Sequence, residues 1–195
     1  MKYVLLALVS LIHSYGASAQ KDNLYADAGL SLAYNDPGFS LTYNHNFIKY
    51  IGVGAGIQGY AFHPAATNIR QFTPAVFADL RFRLRPEKIS QYFAFLDVGY
   101  NFYQHNNDSV QEGNFIYSVP QDNGIYGGIG IGYFLRLTHR GWGPYVTVKF
   151  ISNHCRVNQI NIATNEQGTS TQTRSTLVIS LGFRFGDDVE DLVKY

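Results

Sequence analysis

Three groups of residues in this 195-residue chain have types and spacings that could do chemistry. Ser152-Asn153-His154 places a hydroxyl nucleophile two residues from an imidazole base, with Glu166 the nearest downstream acid that could orient the base. Serine catalysis needs the base within hydrogen-bond reach and a third group to hold the base. The bland reading of the same tripeptide is a polar cap on the end of a strand. Asp27, Asp79, Arg81, Asp97, Arg136, Lys149 and Arg184 supply three carboxylates and four cations, enough for a salt-bridged network, a selectivity filter or a proton relay. The run Gly127-Gly128-Ile129-Gly130-Ile131-Gly132 superficially resembles a phosphate-binding loop. A dinucleotide fingerprint needs a helix to follow, and here the run continues as a strand, so we reject that reading. The histidines (His13, His45, His63, His105, His139, His154) are scattered without ligand spacing, so neither a metal nor any other cofactor is expected. Cys155 is the only cysteine, which excludes an internal disulfide.

The elements that must position these residues read as strands. Eight segments combine alternation with β-rich composition between turn signals: residues 24–34, 39–48, 50–62, 71–84, 91–103, 124–137, 143–157 and 174–185. In the fourth, Phe72, Pro74, Val76, Ala78, Leu80, Phe82 and Leu84 oppose Gln71, Thr73, Asp79, Arg81 and Arg83. In the fifth, Tyr92, Ala94, Leu96, Val98, Tyr100 and Phe102 oppose Asp97 and Asn101. The last sets Leu177, Ile179, Leu181, Phe183 and Phe185 against Thr176, Ser180, Gly182 and Arg184. This dyad repeat is the pattern of a transmembrane barrel, apolar outside and polar within. A soluble barrel would show the same alternation turned inside out, but its water-facing side would need more charge than these strands carry. Charged residues are only 15% of the chain, with 15 Tyr, 14 Phe and 19 Gly. The net charge of +1 gives no reason to expect a nucleic-acid partner.

By strand parity all seven charged residues point into the lumen, with Asp27 and Arg184 on the first and last strands, which must meet when the barrel closes. An eight-stranded barrel is just wide enough to be filled by side chains, and buried charges need partners. The structural reading is therefore a salt-bridged plug. Ser152 and His154 share the outward parity of the seventh strand with Val146, Val148 and Phe150.

The connections alternate in length. With the N-terminus periplasmic, the bottom turns are Lys49, residues 85–90 and residues 138–142. The top loops are residues 35–38, 63–70, 104–123 and 158–173. Long outer loops and short periplasmic turns belong to outer-membrane barrels. Residues 35–38 read as a tight turn and 158–173 as a mobile polar hairpin. Phe115, Ile116 and Tyr117, inside the longest loop, either extend a hairpin above the membrane or form an exposed contact site.

Residues 1–19 read as a secretory signal peptide: Lys2, an apolar core from Val4 to Ile12, and Ala17-Ser18-Ala19 before the expected new N-terminus at Gln20. Residues 20–186 form the expected barrel, and 187–195 a short acidic periplasmic tail.

The signal peptide, the Gly/aromatic strands and the final Leu181-Gly182-Phe183-Arg184-Phe185 together resemble the small porin-like outer-membrane barrel proteins common in Bacteroidetes. That resemblance implies residence in the outer-membrane bilayer and recognition of the last strand by the barrel-assembly machinery. About ten residues follow Phe185, a departure from a terminal aromatic. The family is functionally heterogeneous, so the resemblance specifies the fold and names no extracellular ligand. The outward Ser152 and His154 are also similar in placement to the residues of the lipid A deacylase barrels. Their motif runs histidine, any residue, serine, asparagine, whereas here Phe150 stands in place of that histidine and His154 follows the serine. Three functions are thus open: a filled barrel with a structural or adhesive role through its loops, a lipid-modifying enzyme using Ser152 and His154, and a narrow pore for small solutes.

Overall fold

The computed structural model describes residues 24–33, 36–62, 71–86, 88–102, 109–118, 123–138 and 141–186. The expected signal peptide, the tail 187–195 and the loop 63–70 lie outside the described residues. Ten strands are present among the described residues: β1 Leu24–Ala33, β2 Asp36–Ile48, β3 Ile51–Phe62, β4 Gln71–Leu84, β5 Ser90–Asn101, β6 Ser109–Glu112, β7 Phe115–Ser118, β8 Gly124–Leu135, β9 Gly143–Asn161 and β10 Glu166–Gly186. Eight of them close a ring in the order β1-β2-β3-β4-β5-β8-β9-β10, every neighbour antiparallel, with β10 pairing back onto β1. The fold is a closed eight-stranded antiparallel up-and-down barrel.

Closure follows from the alternation. Each strand presents one apolar and one polar face, and closing the sheet sends every polar face into a single interior. Leu30 is 73% exposed, Ile131 67% and Leu181 65%, while Asp27 is 2% exposed and Arg184 1%. A soluble protein sorts these residue types the other way. Aromatic pairs gather on the outside near both ends of the wall. Trp142 packs on Phe185 at 5.8 Å and Tyr92 on Tyr133 at 5.2 Å near the lower turns; Tyr100 packs on Phe102 at 5.5 Å near the upper end.

Inside, bulk is balanced by glycine. On β5, Phe93 lies opposite Gly132 of β8, and Phe95 opposite Gly130. A methyl group at residue 132 would collide with the Phe93 ring. The inward glycines of β8 thus leave the space that the inward aromatics of β5 occupy.

The strands depart from the sequence expectation in three places. Asp36, Pro37 and Gly38 are the start of β2, in register with Ala33, Leu32 and Ser31, rather than a free turn. β9 and β10 continue well past the expected 157 and 174, pairing rung for rung up to Asn161 and Glu166. The segment 158–173 is therefore mostly regular hairpin with a tip at 162–165. Above the closed wall neither face needs to be apolar, so the alternation that marks the lower strands is missing although the backbone ladder continues. Finally, β6 and β7 form a hairpin inside the long loop, and β7 pairs with the upper end of β9 from Ser118↔Asn158 to Phe115↔Asn161. β6, β7, β9 and β10 thus make a four-stranded sheet raised above the barrel rim.

Candidate functional site

The lumen is stacked in polar layers, each built from side chains on several strands. The lowest ties the bottom turns together. Arg83 Nη2 donates to the Lys49 carbonyl at 2.8 Å, Arg136 Nη2 to the Pro86 carbonyl at 3.2 Å, and Gln91 Nε2 to the same Pro86 carbonyl at 2.6 Å. Arginine and glutamine side chains here satisfy turn carbonyls that the sheet leaves unpaired.

The next layer centres on Asp27. Arg184 Nε and Nη2 reach its two carboxylate oxygens at 2.7 and 3.0 Å, a bidentate pair across the closing seam. Arg81 Nη1 also donates to Asp27 Oδ2, while Arg81 Nε bonds Asp79 Oδ1 at 2.9 Å. Aromatic rings cover the cations: the Arg184 guanidinium lies 4.1 Å from the Tyr25 ring centre and 4.3 Å from that of Phe134, and Arg81 lies 5.2 Å from Phe93. Rings at these distances attract a desolvated cation.

One level higher, Lys149 Nζ donates to Asp97 Oδ2 at 2.9 Å and to Gln58 Oε1 at 2.8 Å. Tyr126 Oη stands 3.2 Å from both of those acceptors. Asp79 and Asp97 face each other directly on β4 and β5. Two like charges in that position repel, and here each turns to a different cation, Asp79 to Arg81 and Asp97 to Lys149. The uppermost layer is uncharged. Asn101 Nδ2 donates to Asn153 Oδ1 at 2.6 Å, and Asn153 Nδ2 donates to Tyr60 Oη at 2.6 Å, spanning the lumen from β5 through β9 to β3. Ala33, Phe77, Ile151 and Val178 pack around it.

Six of the seven expected charges are therefore brought together, three carboxylates against three cations. The seventh, Arg136, lies just beyond the end of β8 at Leu135, in the lowest layer, where its Nη2 donates to the Pro86 carbonyl. Arg83, unassigned by the sequence, joins that floor and is 5% exposed. The sequence reading passed over Gln58, Tyr60 and Tyr126, put Asn101 on the polar face without a role, and took Asn153 only as part of the Ser152–His154 tripeptide. Their signal was the same inward parity as the charges, without the charge that attracts notice.

Ser152 and His154 occupy successive outward positions of β9. Residues two apart on a strand stand about 6.6 Å from each other along the backbone. His154 Nδ1 meets Thr173 Oγ1 at 2.8 Å. Glu166, in register with Asn161, lies seven residues further up β9, about 23 Å away, where it accepts from Thr164 Oγ1. The acid suggested as an orienting group is thus out of reach, so Ser152, His154 and Glu166 do not together form the constellation required for serine catalysis. Phe115 is 37% exposed on the raised sheet and Ile116 lies in register with Ile160 of β9. The Tyr117 backbone pairs with Gln159, and its side chain lies outside the described residues.

The class defined by this geometry is the closed eight-stranded barrel with a side-chain-filled, charge-paired lumen. Solved structures of low sequence similarity share the fold. The outer membrane protein OprG from Pseudomonas aeruginosa matches with a TM-score of 0.58 at 10% identity, covering 83% of this chain and 94% of that one. A major outer membrane protein from Thermus thermophilus matches with a TM-score of 0.53 at 11% identity, covering 83% of this chain and 97% of that one. No protein-family model and no curated protein matches the sequence.

Proposed function

We propose that the chain is an integral outer-membrane barrel that spans the bilayer with its lumen plugged and acts structurally, or adhesively, through its raised outer sheet. The observation that carries this reading is the inverted wall, with large apolar side chains exposed outside and ion-paired charges buried inside. Hydrocarbon is the surrounding in which such a wall is stable, and a closed barrel leaves no unpaired strand edge within it. Both structural relatives are outer membrane proteins, which agrees with that placement. On this reading residues 1–19 direct export, the barrel-assembly machinery takes up the last strand, and 187–195 is a periplasmic tail.

The adhesive part of the reading rests on the β6–β7 hairpin. By pairing β7 with β9 it turns loop residues into a supported sheet carrying Phe115 at its edge turn. A rigid platform presents a contact residue at lower entropic cost than a free loop. Flotation with phospholipid vesicles tests the membrane assignment: refolded protein is expected to float with the vesicles and resist carbonate extraction. A protein that stays soluble and monodisperse without detergent would refute it.

A further inference from the structure

The outer wall carries a groove that neither the plug nor the raised sheet uses. It has a volume of about 660 Å³ and crosses β2 to β5 on the outside of the barrel. Ala55, Gly56, Ala78 and Gly99 line it together with Tyr43 and Tyr100, Tyr43 lying in register with Ala55. Its volume falls within the roughly 300–1,000 Å³ of ligand sites.

The sheet register shows where the groove leads. Ala55, Ala78, Val98, Gly127, Ser152 and Ser175 follow one another in direct register across β3, β4, β5, β8, β9 and β10. The outward rows on either side are bulky: Leu80, Leu96, Ile129 and Phe150 on one, Ile57, Val76, Tyr100 and Ile125 on the other. A side chain at Gly127 would enter open space. The row, small except at Val98, therefore continues the groove as a trough between two bulkier rows. Five strand spacings give it a length of about 24 Å.

The trough is inclined. It starts in the lower half of β3 and ends at Ser175, beyond Val178, the last residue of β10 that pairs with β1. Strands tilted by about 45° put a row at right angles to them at about the same inclination. A run of about 24 Å then descends about 17 Å, close to one leaflet's half of a hydrocarbon core of about 30 Å. The upper end is polar: Ser152 and Ser175 face each other across the strands, and His154 with its Thr173 partner lies on the next outward row above.

Resting on the membrane reading above, we propose that this trough is a binding site for one outer-leaflet lipid. Its acyl chain lies along Val98, Ala78 and Ala55, and its polar head meets Ser152, His154, Thr173 and Ser175. The lining is apolar throughout the hydrocarbon depth and polar only at the end where a head group sits, which matches a lipid better than the uniformly apolar face of a second barrel. Ser152 and His154 then serve as head-group contacts and not as a catalytic pair.

The test is native mass spectrometry of the full barrel in mild detergent with added palmitoyl-oleoyl phosphatidylethanolamine. Wild type is expected to retain one lipid. Ala55→Phe with Ala78→Phe fills the trough from the outside and is expected to reduce retention at least tenfold. Leu96→Phe with Ile129→Phe, on the adjacent bulky row, is expected to retain the lipid as wild type does. Equal retention by all three proteins would overturn the site, as would loss of a dimer instead of a lipid from the filled variant. Because all three proteins are compared after vesicle flotation, failure of the membrane reading shows separately, as protein that does not float.

Discussion

Arg184 and Asp27 lie directly opposite each other on β10 and β1, 157 residues apart in sequence, and form a bidentate ion pair across the seam where the barrel closes. The contact is available only when the ring is complete. Asp27 also accepts from Arg81, so a single carboxylate holds two guanidinium groups.

Asp27→Asn removes the charge that both arginines face. Breaking a buried pair from one side leaves an uncompensated charge and costs about 3–5 kcal/mol. The variant is expected to unfold at markedly lower urea in detergent, read from the gel mobility of folded against unfolded barrel. Ser109→Ala on the raised hairpin serves as the reference and is expected to match wild type. If the two variants unfold at the same urea concentration, the seam pair contributes nothing.

Asp97 supports a sharper comparison. Asp97→Asn leaves the Lys149 ammonium with the uncharged Gln58 amide as its acceptor, and a loss of about 3–5 kcal/mol is expected. Replacing the pair together, Asp97→Leu with Lys149→Met, removes both charges and keeps the volume. Such replacement of a buried pair is often neutral or stabilising. The double variant is therefore expected to be more stable than the single one by at least about 1 kcal/mol, measured by the same unfolding midpoints. A double variant as weak as the single would show that the layer is held by something other than charge pairing.

Two glycines of β8 separate inward packing from outward freedom. Gly132 faces the Phe93 ring, and a methyl group there must displace a buried aromatic side chain. Gly132→Ala is expected to cost about 1–3 kcal/mol through overpacking. Gly127 points outward into open space. Gly127→Ala is expected to be neutral or to stabilise by up to about 1 kcal/mol, since glycine in a strand carries an entropic penalty. Adding Phe93→Leu to Gly132→Ala should restore part of the loss. Thermal unfolding of the three variants decides the point, and an equal effect at residues 127 and 132 would contradict the assigned faces.

The face pattern was legible in the sequence because hydrocarbon-scale alternation is strict. One misplaced charge on the outer wall is costly, so Leu96 and Asp97 announce their sides. Strand ends were less legible for the complementary reason. The Thr/Ser/Gln stretch of β10 from Glu166 to Arg174 rises above the wall, where no face is constrained, and polar residues there look like a loop although the backbone is fully paired. The seam partners Asp27 and Arg184 were legible from closure of the ring, but partners on more distant strands were not. Parity places Arg81 and Lys149 inside, but the reach of Lys149 on β9 to Asp97 on β5, and of Arg81 on β4 to Asp27 on β1, depends on the stagger between strands that are not neighbours.

The layered lumen predicts a barrel that does not conduct. A narrow pore needs a continuous polar path, and here three successive levels are crossed by side chains from opposite walls. Asp27, Arg81 and Arg184 cross the lower level, Asp97, Lys149, Gln58 and Tyr126 the middle one, and Tyr60, Asn101 and Asn153 the upper one. Tyr126 and Asn101 are 0% exposed, so these crossings are sealed against solvent and do not fringe an open channel. Wild-type protein in planar bilayers is expected to give no resolved current steps. Opening should require the loss of more than one level, because each is independently spanned. Tyr60→Ala alone is expected to stay silent, while Tyr60→Ala combined with Arg81→Ala and Lys149→Ala is expected to pass small ions if it folds, which its heat-modifiable gel mobility reports. Steady ohmic steps from the wild type would show instead that the crossings move aside, and would favour the narrow-pore reading over the plug.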